Sequence, residues 1–116
     1  MKSYTDLEQS KMLAEILPIE SSDMRFCFSH TLGGRIKGHY PMIGREPSMG
    51  TIPCWSLAAL LSVLPRVDIE KETWTDDTYD YRVKAYIDDG YVGDWFDNPI
   101  DACYDMIIKL HEDKLL

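Results

Sequence analysis

Apolar positions recur along this chain at two spacings, one helical and one alternating. Leu7, Leu13, Ala14 and Leu17, with Ser10 between them, lie on one helical stripe until Pro18 stops the run. Thr5-Asp6-Leu7-Glu8 has the form of a capping box at its start, with the Thr5 hydroxyl taking an orphan amide and Glu8 reaching back. Between Pro53 and Pro65, the segment PCWSLAALLSVLP has almost no polar face. It predicts about three turns of a helix buried on most sides. A third helix begins at Asn98-Pro99, a capping residue followed by proline at the first helical position, and runs close to Leu116. Its apolar stripe is Ile100, Cys103, Ile107 and Leu110, with Met106 beside it.

Alternation marks the strands. In MRFCFSH, residues 24–30, Met24, Phe26 and Phe28 point one way and Arg25, Cys27 and Ser29 the other. DYRVKAYI, residues 80–87, sets Tyr81, Val83, Ala85 and Ile87 against Asp80, Arg82, Lys84 and Tyr86. Asp89-Gly90 then predicts a two-residue hairpin turn, with 91–96 as the returning strand. From Gly33 to Gly50, five glycines and two prolines predict turns, with a short strand over Ile36–Tyr40. The expected architecture is a single α+β domain over residues 1–116. Three helices would pack on a small antiparallel sheet of three to four strands.

Composition narrows the class. At 116 residues with 45% hydrophobic content, the chain suits one globular core. Its three cysteines, Cys27, Cys54 and Cys103, are an odd and unpatterned set, which points to free thiols rather than a disulfide framework. No apolar run approaches the roughly 18 residues needed to span a bilayer, so a soluble, cytoplasmic protein is expected.

The net charge of −8 is unevenly spread. Residues 67–116 hold 14 acids against five bases, a balance that disfavours binding duplex nucleic acid. Residues 24–52 hold Arg25, Arg35, Lys37 and Arg45 against Glu46 alone. Within GGRIKGH, Arg35 and Lys37 are the candidate site for a small anion, although the segment lacks the ending of a P-loop and a flexible hairpin is the preferred reading.

Catalytic candidates are few. A thiol at a helix start gains acidity, which makes Cys54 the one candidate nucleophile. It needs a histidine base, and His111 is the only histidine downstream, so a buried structural cysteine is preferred. Cys27-x2-His30, with His39 beyond, is the only pair at metal-ligand spacing, and alternation along a strand turns its two side chains to opposite faces. No metal or cofactor is called for. The acids Asp76, Asp77, Asp80, Asp88, Asp89 and Asp94 lie among tyrosines and tryptophans on turns and strand edges. They form the candidate partner-binding face.

The stretches MKSYTDLEQSKMLAEILP, IPCWSLAALLSVLP and DNPIDACYDMIIKLHEDKLL together resemble a group of small proteins of Bacteroides-type gut bacteria, often borne on phage-derived or mobile DNA. More distantly, the order of elements is similar to phage ABA sandwich domains. The resemblance implies an α+β fold and a bacterial or phage setting, and carries no activity or catalytic residue. Three functions are therefore weighed. The first is a non-catalytic accessory protein that binds an unidentified protein partner. The second is an acidic mimic of nucleic acid that inhibits a basic host protein, and the third is a small enzyme using Cys54. Exposed edge strands would permit self-association without demanding it.

Overall fold

The computed structural model describes residues 2–30, 37–43 and 51–116, the backbone alone at 28–30 and 37–42. Among them, helix α1 (Leu7–Ile16) leads through a 3-10 turn (Ile19–Ser21) into strands β1 (Met24–His30), β2 (Lys37–Ile43) and β3 (Ile52–Cys54). Helix α2 (Leu57–Val63), strands β4 (Val67–Thr73), β5 (Tyr79–Ala85) and β6 (Tyr91–Val92), and helix α3 (Pro99–Glu112) complete the α+β domain. The strands, expected in one sheet of three to four, form two antiparallel sheets of three, in the orders β2-β1-β3 and β4-β5-β6. A strand has two edges, and β1 uses both, on β2 and β3. Among the described residues, the strands that follow α2 pair only among themselves.

The first helix starts one residue later than the capping box predicts. Asp6 is the cap, accepting the Gln9 N–H at 2.8 Å, while the Gln9 side chain accepts the Asp6 N–H at 3.0 Å. Thr5 is fully buried and engaged elsewhere. Its N–H donates to the Trp55 carbonyl (2.9 Å), its hydroxyl accepts the Trp55 N–H (3.1 Å), and the same hydroxyl lies 2.7 Å from the Ser10 hydroxyl.

The second helix is likewise shorter than its apolar run. Ile52, Pro53 and Cys54 pair with Phe26, Arg25 and Met24 as an edge strand, where a proline is tolerated. Ser56 then caps α2, its hydroxyl taking the Ala59 N–H at 3.3 Å. Two bonds clamp that cap, the Ser56 N–H to Asp23 at 3.0 Å and a short one from the Ser56 hydroxyl to the same carboxylate.

The core sits between the helices and β5. Leu13 of α1, Trp55 and Leu60 at α2, Val83 of β5, and Ile100, Cys103, Met106, Ile107 and Leu110 of α3 are fully buried in one cluster. The predicted cap of α3 holds, with Asn98 accepting the Asp101 N–H at 2.8 Å ahead of Pro99.

The β5–β6 turn is longer than the expected two residues. Ala85 pairs with Tyr91, so residues 86–90 form the loop, with Asp88 and Gly90 at positive φ. A bulge follows. Gly93 bonds Val83 and Phe96 bonds Tyr81, which leaves Asp94 and Trp95 together opposite Arg82. Gly93 is held to its residue type by proximity, since a Cβ there would stand 3.1 Å from the Val83 carbonyl oxygen.

Two outcomes follow. Thr5→Val keeps the shape of the residue but leaves the buried Trp55 N–H without a partner. We expect a loss of about 1–3 kcal/mol, read as a lower urea midpoint, with a smaller loss for Thr5→Ser. The second concerns Asp101. Burial alone would raise its pKa, but bonds from Lys2 (2.7 Å), Asn98 (2.8 Å) and Gln9 (2.7 Å) outweigh it and hold the group below the ordinary carboxylate value. A depressed carboxylate stabilises the fold above its unfolded pKa of about 3.9, and that stabilisation is lost as pH falls through the folded value. Asp101→Asn should therefore lower the melting temperature at neutral pH and flatten its decline below about pH 4.

Candidate functional site

Cys54 does not stand at a helix start. It ends β3, is 0% exposed, and its thiol lies 3.5 Å from the Thr5 carbonyl oxygen, to which it donates. Burial pushes its pKa up, only partly opposed by the Thr5 and Ser10 hydroxyls. Cys103 is pushed up to about 12 by burial alone. His111 is exposed at the end of α3, its Nδ1 3.1 Å from the Leu116 oxygen. Neither buried thiol therefore has the environment of an activated nucleophile.

Among the described residues, no group of three or more His, Cys, Asp or Glu side chains could hold a metal ion. Arg35, from the candidate anion site, lies outside the described residues. Lys37, His30 and His39 enter only through the backbone register of β1 on β2.

The acids of the candidate partner-binding face are not brought together. Asp76 and Asp77 occupy the turn between β4 and β5, with Asp80 near it, whereas Asp88 and Asp89 occupy the loop at the far end of β5. The seven residues of β5, Asp80 the second of them, lie between Asp77 and Asp88, a span of roughly 20 Å at strand rise. Three of the six, Asp76, Asp80 and Asp94, are engaged locally through their side chains. Asp76 accepts the Thr78 hydroxyl (2.7 Å) and N–H (3.3 Å), which lower its pKa. Asp77 and Asp88 adopt left-handed backbone, a conformation that Asp tolerates better than most residues. Asp94 is held by Lys109 at 3.2 Å.

The fold does assemble a different surface. Helix α3 packs on the face of β5 that carries Tyr81, Val83 and Ala85, and all three are buried. The opposite face carries Arg66, Asp68, Glu70, Glu72 and Trp74 from the first half of the hairpin, and Asp80, Arg82, Lys84 and Tyr86 from the second. Its side chains are laced into a layer. The Arg82 guanidinium lies 4.5 Å from the Trp95 ring centroid and bonds Glu70 at 3.3 and 3.4 Å, while Lys84 reaches the same carboxylate at 2.8 Å. Bonds from Lys84 and then Arg82 hold Glu70 below the ordinary carboxylate range.

Trp74 meets Trp95 edge-on at 6.3 Å and donates its indole N–H to Asp80 at 2.7 Å. Tyr86 donates its hydroxyl to Asp68 at 2.6 Å beneath Arg66, and that bond raises the phenol pKa. Trp74, Tyr86 and Val92 are nonetheless 42%, 52% and 56% exposed. Trp74 is thus an exposed ring braced by Asp80 and Trp95, and Tyr86 one braced by Asp68 and Arg66.

Sequence reasoning noted these aromatics but could not divide them between core and surface. Parity with Val83 is a partial signal, since Tyr79 shares that side yet is 46% exposed at the strand end. Tyr81 shares its side of β5 and is buried, whereas Trp74 and Tyr86 sit on the opposite side. Trp95 escapes that rule because the bulge shifts the register by one residue.

No protein-family model, curated protein or solved structure matches the chain. Among the described residues, no helix is long and apolar enough to cross a membrane.

The thiols give a direct check on this placement. In native protein at neutral pH, iodoacetamide should modify half-buried Cys27 first, with Cys54 and Cys103 reacting only in denaturant. Peptide mapping by mass spectrometry reads the order. Rapid native labelling of Cys54 would contradict its burial.

Proposed function

We propose that this protein is a non-catalytic interaction module that docks a protein partner through the outer face of the β4–β5–β6 sheet. The observation that carries this reading is the braced cluster of Trp74, Trp95 and Arg82, with Trp74 exposed on a face that no helix among the described residues covers. Tryptophan, tyrosine and arginine supply most interface hot spots, because rings and guanidinium bury large areas at small entropic cost. An accessory role of this kind fits a protein resembling small phage-borne and mobile-element proteins. The alternative, an acidic mimic of nucleic acid, asks for one continuous acidic surface, whereas Asp76 and Asp77 lie at one end of β5, Asp88 and Asp89 at the other, and Asp94 is paired with Lys109. A Cys54 enzyme would need an accessible thiol, and this one is fully buried.

Photo-crosslinking in the cells that carry the protein tests the reading. A benzoylphenylalanine in place of Val92, on the sheet face, should yield a discrete protein adduct. The same residue in place of Met12, on the helix layer, should not. Trp74→Ala and Arg82→Ala should each weaken binding of the identified partner by about 2 kcal/mol, roughly 30-fold, while leaving the melting temperature within a few degrees. An adduct formed equally from position 12, or one indifferent to both substitutions, removes the support for this face.

A further inference from the structure

Strand β4 is an edge strand, and its hydrogen-bond phase can be read from its two ends. The Tyr86 N–H donates to the Arg66 carbonyl and the Trp74 N–H to the Thr78 carbonyl, both at 2.9 Å. Bonded pairs alternate along an antiparallel ladder, so Asp68, Glu70 and Glu72 complete the bonds to Lys84, Arg82 and Asp80. Val67, Ile69, Lys71 and Thr73 therefore turn their N–H and C=O groups to the other edge. Among the described residues, no strand pairs with that edge.

Beyond Val67, which packs against the core, the strand is thinly covered among the described residues. Ile69, on the side that faces α3 in β5, is still 36% exposed, and Lys71 follows it on the same side, 4.1 Å from the centroid of the Tyr79 ring. A charge on the inward side of an edge strand is a common guard against indiscriminate pairing. The outward row selects more sharply. Glu70 is balanced by Arg82 and Lys84, but Glu72 lies directly opposite Asp80, an unfavourable like-charge pair. Glu72 has no cationic partner among the described residues, and Asp68 receives only the Tyr86 hydroxyl.

A second copy of the chain fits this edge poorly. Registers that keep both helix layers on one side oppose Glu70 to Glu70 with Asp68 against Glu72, or Asp68 to Glu70. Registers that put the layers on opposite sides set Ile69 against Asp68, Glu70 or Glu72. A strand of complementary charge meets neither obstacle.

We infer that the free edge of β4 is a strand-docking site for an extended segment of a basic partner protein. The segment adds to the sheet beside β4, with Lys or Arg against Asp68 and Glu72 and apolar side chains against Val67 and Ile69. Its cations therefore stand four residues apart on one face, and its main chain closes on the outward groups of Val67, Ile69, Lys71 and Thr73. This inference rests on the reading of the protein as an interaction module and names the form and chemistry of the partner.

The test uses the full chain and a capped heptapeptide that alternates lysine with valine, with a glutamate–valine peptide as control. Amide hydrogen exchange by NMR should slow about tenfold or more at Val67, Ile69, Lys71 and Thr73 with the lysine peptide alone, and the effect should fade with added salt. Lys71→Pro removes an outward N–H and spares the ladder to β5, so the fold should persist while protection disappears. Glu72→Lys should weaken the peptide several-fold without that backbone change. Protection by both peptides alike, no protection at these four amides, or undiminished protection in both variants overturns the proposal. Concentration-dependent dimers protecting the same amides without peptide also overturn it, by making a second copy the occupant. A crosslink from position 92 that survives Lys71→Pro overturns the edge site alone, whereas its loss in Trp74→Ala concerns the face.

Discussion

The mutual hold of Thr5 and Trp55 is the contact on which the rest of the structure depends. Two backbone-directed bonds join residues fifty positions apart, both buried, so neither end can move to water without stranding a polar group. The Trp55 indole N–H donates to the Ser21 hydroxyl at 2.9 Å, and the neighbouring Ser56 is clamped by Asp23. Between them, these contacts tie the segment before α1, the 3-10 turn, the end of β3 and the start of α2 into one node. The same node accounts for Cys54, whose thiol shares the Thr5 environment and is shut away from solvent by it.

From that node the core extends in one direction only. Helix α3 lays Ile100, Cys103, Met106, Ile107 and Leu110 against α2 and the inner side of β5, and of β4 only Val67 joins that cluster. The incomplete cover explains why β4 is charged on both faces. It also explains why the outer layer is braced by its own arginine, lysine and carboxylates rather than by packing.

The electrostatics run in the same direction. The acids are dispersed over turns at both ends of the second sheet, where they shape the backbone, and over the outer row of β4. Dispersed charge of one sign still raises the local concentration of cationic partners, while close pairing at a few positions sets register. A net charge of −8 thus favours encounter with a basic protein, and under the proposed docking the braced aromatic cluster would supply the contact area.

Local patterns alone determined a good part of this protein. The spacing of Ile100, Cys103, Ile107 and Leu110, with Asn98-Pro99 before them, specified α3 and its buried stripe, because cap chemistry and helical periodicity are short-range. Alternation marked β1 to its ends, and most of β5. The burial of Cys54 followed from the apolar run around it. Other features were decided only in the folded chain. Asp6 replaced Thr5 as the cap because a residue fifty positions away claimed the Thr5 hydroxyl, and Pro53-Cys54 became strand because β1 had an edge to fill. The mixed polarity of VDIEKET concealed β4, since past Val67 its inner side is too exposed to enforce alternation. The stack of Trp95 on Arg82 came from a one-residue bulge, and register across a sheet is a long-range property that no local window contains.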